Sequence, residues 1–181
     1  SYNLSSAARS IAMADFNRDG KPDLVVPTSN TVTLLLNDGN GTFTVAPPVV
    51  VPSNGDLELA VAVADFNGDG NTDVLRGTTG SAAILFGDGA AGFIGQPLHL
   101  QTGSFPPGIM SLVATDFDLD GRVDLVAVAA SATLYTFRNQ SVCAANCGTF
   151  GTPGNIAAGT TPGRLRPCRG AALRDAAEIR P

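Results

Sequence analysis

The stretch DFNGDGNTD, residues 65–73, decides how this chain folds, because it occurs three times at nearly constant spacing. The other copies are DFNRDGKPD at residues 15–23 and DFDLDGRVD at residues 116–124. Their starts are separated by 50 and then 51 residues. Self-similarity at a fixed period of this size is typical of repeat architectures, in which each repeat forms one supersecondary unit. The sequence therefore predicts three consecutive structural repeats.

Short apolar runs around each acidic segment predict β-strands. One run precedes the segment, two follow it, and a fourth comes after a Gly-rich turn that ends in Phe. The predicted strands are 11–14, 24–26, 32–36 and 49–51, then 59–64, 74–75, 83–86 and 98–101, then 112–115, 125–129, 133–137 and 155–157. Four short strands per repeat are typical of a propeller blade. We therefore predict an all-β fold, a propeller-like array of three four-stranded antiparallel blades.

Composition and repeat boundaries agree with this architecture. The 181 residues include 21 Gly and 12 Pro, which favour turns over long helices. We place the blades at about 5–55, 56–105 and 106–163, followed by an Arg- and Ala-rich tail at 164–181 in which residues 171–179 could form a short helix. No apolar run approaches the roughly 20 residues that a membrane-spanning helix needs. The sequence therefore predicts no transmembrane segment.

The acidic segments have the ligand pattern of a calcium loop. Alternate residues of a tight turn can present oxygens to one ion, and Gly at position six permits the positive φ that the turn needs. Positions one, three, five and nine would supply side-chain oxygens, and position seven a backbone carbonyl. The predicted ligands are Asp15, Asn17, Asp19, Lys21 and Asp23; Asp65, Asn67, Asp69, Asn71 and Asp73; and Asp116, Asp118, Asp120, Arg122 and Asp124. Calcium accepts such flexible oxygen sets better than magnesium does, so we predict three Ca²⁺ sites.

Charge distribution supports a cation as the partner of these loops. Ten of the 16 acidic residues lie in the three loops, within a chain of net charge −5. Such local acidity calls for positive countercharge and argues against nucleic acid as a partner. The third loop has four carboxylates where the others have three and an Asn, so we expect it to bind calcium most tightly. A helical calcium hand would need an acidic twelfth position, but Val26, Arg76 and Ala127 stand there.

The three cysteines leave several chemistries open. Cys143 and Cys147 are separated by Ala-Ala-Asn in an expected loop, and Cys168 lies in the tail. The first two could form a short disulfide, remain as free thiols or belong to a metal site. A metal site has the least support, because no His or further Cys lies near them in the sequence.

The acidic loop, the strand after it and the Asn-Gly-Thr-Phe turn together resemble FG-GAP/VCBS-type repeats, over about residues 5–160. The resemblance implies four-stranded blades of an integrin-α-like β-propeller, with calcium in the loop between the first two strands. It also implies extracellular roles in adhesion, ligand binding or scaffolding. The chain departs from a closed propeller in having three motif-bearing repeats, so it is either part of a longer protein or completed by assembly. Contacts between copies that do not close would produce a filament.

Three hypotheses for function follow. The first, which we favour, is a non-catalytic, calcium-stabilised extracellular structural or adhesion module, with other protein chains as partners through self-assembly at open blade edges or as adhesion ligands. The second is a lectin-like propeller, which the absence of Trp disfavours. The third is an enzyme or the accessory domain of a secreted one. No Ser or Cys has a recognisable base beside it, and the single histidine, His99, lies in an apolar strand segment. The Phe at position two of each loop is predicted to pack between blades.

Overall fold

The computed structural model describes residues 1–4, 7–52, 58–79, 82–100, 108–131, 133–139 and 154–155. Every regular element in these residues is a β-strand, and the strands form three antiparallel sheets. Each sheet is built from one predicted repeat, and we call the sheets blades 1, 2 and 3. The predicted all-β, propeller-like fold class is confirmed.

The strands follow one another along the chain, and consecutive strands of a blade pair with each other. Blade 1 contains β1 (Ala12–Ala14), β2 (Asp23–Pro27), β3 (Thr31–Asn37), β4 (Phe43–Val45) and β5 (Val49–Val50). Blade 2 contains β6 (Glu58–Ala64), β7 (Asp73–Thr78), β8 (Ala82–Gly87) and β9 (Phe93–Leu100). Blade 3 contains β10 (Ile109–Thr115), β11 (Asp124–Ala129), β12 (Leu134–Phe137) and β13 (Gly154–Asn155).

Each predicted strand overlaps an observed one, but the fourth strand starts earlier than predicted. β9 begins at Phe93 and β4 at Phe43, directly after the Gly-rich turn. The turn is closed just before each Phe, since the amide of Asp38 donates to the Thr42 carbonyl at 3.0 Å. The Phe is therefore the first residue that can pair with the third strand.

The outer strand of blade 1 is divided in two. Residues of β4 and β5 both pair with β3, and Pro47 and Pro48 lie between them. Proline has no amide hydrogen to donate and is confined to edge strands or interruptions. One outer strand was predicted at 49–51, but the structure has two short segments, β4 and β5, at the outer position. Blade 1 therefore has five strands.

The hydrophobic core lies between the blades. One cluster joins blades 1 and 2 and includes Val25, Leu34 and Val74; the other joins blades 2 and 3 and includes Ile84 and Leu125. Every residue of β7 and β8 is buried, because the middle blade is covered on both faces. In β10 and β11, by contrast, buried residues alternate with exposed or half-buried ones along much of the strand, as expected where one sheet face is covered.

Several predicted features lie outside the described residues. These are the tail at 164–181 with its expected helix, the three cysteines and most of the third Gly-rich turn. The predicted blade boundaries at 55/56, 105/106 and 163/164 also fall there. His99 is in β9, where it pairs with Ala83 of β8.

Candidate metal centre: the three acidic loops

Each acidic loop connects the first and second strands of its blade, and its backbone turns left-handed at two positions. The predicted positive φ at position six is confirmed: it is 80° at Gly20, 82° at Gly70 and 87° at Gly121. Position four is also left-handed, which the sequence did not reveal; φ is 60° at Arg18, 77° at Gly68 and 62° at Leu119. Only glycine takes such values without a steric cost, so Arg18 and Leu119 are held there by the rest of the loop.

The carboxylate at position one holds the turn together. In the first loop, Asp15 Oδ1 accepts the amide of Asp19 at 3.2 Å and Oδ2 accepts that of Gly20 at 2.9 Å. Asp65 and Asp116 accept the corresponding amides of their own loops. Short polar side chains that accept nearby backbone amides fix tight turns in this way. The loops are therefore folded around their first ligand position.

The third loop brings three carboxylates to one point. One oxygen from each of Asp116, Asp118 and Asp120 lies within 4.8 Å of the others. Asp118 Oδ1 is buried and has no hydrogen-bond partner among the described residues. An unpaired buried carboxylate oxygen is costly, and a cation would satisfy it. A set of hard oxygen donors with one unsatisfied member fits calcium.

Position nine has a second, structural role that sequence reasoning missed. Asp73 is fully buried at the start of β7; its Oδ2 accepts the amide of Phe66 and its Oδ1 that of Gly87, both at 2.8 Å. Asp23 and Asp124 make equivalent bonds in their blades, with Oδ1 accepting the amide of Asn37 at the end of β3 or of Asn139 two residues after β12. This carboxylate therefore ties the loop to the end of the third strand. The signal was present, since position nine is Asp in all three copies and opens a buried strand.

Burial raises the pKa of two of these carboxylates. Desolvation raises the pKa of Asp73 to about 7, two backbone amides oppose the rise, and the nearby Asp69 and Asp65 carboxylates add to it. Burial likewise raises the pKa of Asp124, with Asp118 and Asp120 contributing. Both position-nine groups thus feel the charges of their own loop. A divalent cation would favour their ionised forms.

We expect the calcium-free chain to lose stability as pH rises from about 4 to about 7. The folded-state pKa of Asp73, about 7, lies well above the 3.8 of an ordinary aspartate. In that window the folded state binds more protons than the unfolded state, so the free energy of unfolding falls with rising pH. Urea unfolding at about pH 5 and about pH 7 in calcium-free buffer measures the effect. Asp73→Asn should flatten this dependence, and an equally steep dependence in that variant would contradict the assignment.

Basic side chains supply part of the countercharge in two of the loops. Lys21 Nζ lies 3.1 Å from Asp19 Oδ2, and the Lys21 amide and ammonium lower the pKa of Asp19. In the third loop Arg122 pairs with Asp120, and Arg138 pairs with Asp118 at 2.9 Å. The second loop has Asn71 at the position of Lys21 and Arg122. A cation in the third loop would compete with Arg122 and Arg138 for the carboxylates. The stronger calcium binding expected of this loop stays a prediction.

The structure thus arranges the predicted ligands of each loop in two groups. In the first two loops, the amide of position five donates to the side chains at positions one and three, as the Asp19 amide does to Asp15 and Asn17. In the third loop, Asp118 pairs with Arg138 instead. Position nine lies beneath them, buried and bonded to backbone. The carbonyl oxygens of Lys21, Asn71 and Arg122 remain predicted ligands.

Contacts to the following blade fix the loops from outside. The carbonyl of Phe16 accepts the amide of Ala91 at 3.1 Å, and that of Phe66 accepts Asn139 Nδ2 at 2.8 Å. Arg18 reaches from the first loop to the carbonyl of Gly70 in the second, at 2.7 Å. As predicted, Phe16 and Phe66 pack between blades and are 4% and 1% exposed. Phe117 differs, since it is 40% exposed.

Sequential four-stranded antiparallel sheets, each with an acidic loop between its first two strands, define a propeller-like repeat module. A family model described as FG-GAP-like repeat matches residues 15–76 and 65–127, which together span more than half of the 181 residues. The chain belongs to the FG-GAP-like repeat family. A search of curated proteins found no match. In the described part of the chain, no helix has the length and apolarity needed to cross a membrane.

Proposed function

We propose that this chain is a non-catalytic, calcium-stabilised extracellular module with a structural or adhesive role, whose partners are calcium and other protein chains. The observation that carries the proposal is the carboxylate cluster of Asp116, Asp118 and Asp120, with the buried, unpaired Asp118 Oδ1 among them. Calcium would neutralise carboxylates that otherwise repel one another. The same loop framework occurs in all three blades, so calcium acts on the whole array.

The loop carboxylates already have structural roles, and these roles argue against catalysis. Asp15, Asp65 and Asp116 accept two or more backbone amides each, which suits turn formation and cation binding better than proton transfer. FG-GAP-like repeats are typically non-catalytic, and this supports the same conclusion.

A lectin-like function is less well supported, because sugar rings usually stack on exposed aromatic faces. The chain has no Trp and two Tyr. Tyr2 packs edge-on against Phe43, with ring centroids 6.0 Å apart, and its hydroxyl accepts the Phe43 amide. Tyr135 packs against the core between blades 2 and 3. Both rings thus contribute to packing within the module.

The proposed extracellular location rests on the family and on calcium availability. FG-GAP-like repeats are usually extracellular. Oxygen-rich loops of modest affinity are filled at the millimolar calcium concentrations outside cells, whereas cytosolic free calcium is far lower.

Loop variants test the proposal. A site adds about 2.7 kcal/mol of stability when the calcium concentration is 100 times the dissociation constant. We expect Asp120→Ala to remove most of this contribution from the third loop. Asn17→Ala should cost less than half of that, because it removes a neutral ligand and leaves three carboxylates in its loop. For each variant, the measured quantity is the free energy of unfolding in calcium minus that in EDTA, which cancels the loss of the Arg122–Asp120 pair.

Equal losses in the two variants would contradict the ranking of the loops. A wild-type chain with the same free energy of unfolding in calcium and in EDTA would overturn the proposed function itself.

A further inference from the structure

Neighbouring blades pack through two rows of side chains, defined by the strand pairing. Residues directly opposite one another on paired strands share a sheet face. We call the row toward the next blade the leading row and the row toward the previous blade the trailing row. At the first interface, the leading row of blade 1 is Ala12, Val25 and Leu34, and the trailing row of blade 2 is Val63, Val74 and Leu85.

The second interface repeats the first at equivalent positions. The leading row of blade 2 is Ala62, Leu75 and Ile84, and the trailing row of blade 3 is Ala114, Leu125 and Phe137. One packing solution therefore occurs twice in this chain, with the same strands and the same register.

Within the described part of the chain, two rows of the same kind have no blade packed against them. The leading row of blade 3 is Val113, Val126 and Thr136, and the trailing row of blade 1 is Met13, Leu24 and Leu35. Val113 is 54% exposed, whereas Ala62 at the equivalent position is 6% exposed. Met13 is 63% exposed, while Leu35 is already buried. The open part of each row therefore lies on the first strand of its blade, at one edge of the sheet.

Exposed large apolar side chains follow the same distribution. Among the blade 2 side chains that the structure describes, at residues 60–79 and 82–98, Ile94 is the one exposed large apolar side chain. Blade 1 exposes Ile11, Met13, Val45 and Val50. The strand register places Met13, Val45 and Val50 on its trailing face, and Ile11 directly precedes β1. Blade 3 exposes Val113, Val128 and Leu134 on its leading face. Contiguous apolar surface of this kind marks an interaction site.

We propose that the leading row of blade 3 packs on the trailing row of blade 1 in a second copy of this chain. This inference rests on the proposed structural role and names its protein partner. The contact is made by blade faces, whereas the sequence predicted contact through strand edges. A second copy is the occupant because blade 1 carries the trailing row that the two interfaces within the chain already use. The contact is heterologous, since each copy offers a different face.

A polar contact accompanies this packing. The turns before Phe43 and Phe93 have the same geometry: Asp38 bonds to Thr42 as Asp88 bonds to Gly92, and φ is 90° at Gly41 and 64° at Ala91. Within the chain, the amide of Ala91 donates to the carbonyl of Phe16 in the preceding blade. The exposed Gly41 of the second copy would donate to the carbonyl of Phe117 in the same way. The exposed ring of Phe117 would then be covered as Phe16 and Phe66 are.

Two copies can use both open faces at once. Together they supply six blades, and closed propellers typically have roughly four to eight. Each copy then places its blade 3 against blade 1 of the other, and both end rows formed by the described residues are covered. The expected particle is therefore a dimer with twice the 18.4 kDa mass of one chain.

Light scattering of the full chain in millimolar calcium tests the contact. We expect a dimer for the wild type, with Val113→Asp and Met13→Lys each raising the dissociation constant at least about tenfold. Mixing these two variants should restore a dimer, because the introduced charges then face each other across one interface while the other is unchanged. Ile94→Asp is the matched control, an exposed apolar residue on the middle blade that should leave the dimer intact.

If the wild type forms assemblies larger than a dimer, and Val113→Asp and Met13→Lys each reduce their mass, that result would also support the contact. A wild-type monomer at about 100 μM, or an assembly that neither variant weakens, would overturn it. The shift of the thermal midpoint with calcium is measured on the same samples and shows that each variant folds. A monomer that keeps this shift overturns the pairing alone, whereas loss of the shift in the wild type overturns the proposed function.

Discussion

Removing calcium is expected to lower the free energy of unfolding of this chain by several kcal/mol. Each independent site adds roughly 2.7 kcal/mol when calcium is at 100 times its dissociation constant, and three such sites would add roughly 8 kcal/mol. That sum is comparable with the entire stability of a typical domain, about 5–15 kcal/mol. The physical source is the neutralisation of carboxylates such as Asp65, Asp69 and Asp73, whose mutual repulsion already contributes to the raised pKa of Asp73.

Urea unfolding with calcium and with EDTA measures this loss. Magnesium at equal concentration is the control, because it prefers a stricter octahedral geometry and keeps its waters, so it should restore less of the stability. Unfolding curves that coincide in calcium and EDTA would contradict the expectation.

Asp73→Ala is expected to be the most damaging single substitution in the second loop. It removes the acceptor for two buried amides, those of Phe66 and Gly87. An unsatisfied buried donor costs about 1–3 kcal/mol, so the two amides together should cost about 2–6 kcal/mol beyond any loss of calcium binding. The strand end at Gly87 would also lose its tie to the loop. Urea unfolding in saturating calcium measures the cost.

Asp69→Ala is the matched control for this substitution. Asp69 is a predicted ligand of the same loop, but it is only partly buried and its backbone bond, from the Asn71 amide, lies within the turn. The Asp69→Ala variant should therefore lose calcium-dependent stability without the additional cost of two unsatisfied buried amides. If Asp69→Ala and Asp73→Ala destabilised the chain equally, position nine would be a ligand without a structural role.

The fold was predictable because one pattern repeats. The apolar runs on either side of each acidic loop have the length of β-strands and are bounded by Gly and Pro. The presence of the strands therefore follows from the local sequence. The positive φ at Gly20, Gly70 and Gly121 was predictable for the same reason, since the turn needs a left-handed residue there.

Features that depend on contacts between repeats could not be predicted from one repeat. Arg18 occupies a left-handed position that its type disfavours, while its guanidinium bonds to Gly70 in the next blade. The exposure of Phe117 follows from its place on the open face of blade 3. Both features depend on whether a following blade packs there, which a single repeat does not show.

The number of calcium ions bound per chain tests the central claim most directly. Equilibrium dialysis of the full chain in calcium, followed by metal analysis, should give three ions per chain, falling to two in Asp120→Ala. A chain that retains no calcium, or a count that Asp120→Ala leaves unchanged, would contradict the account of the acidic loops as calcium sites.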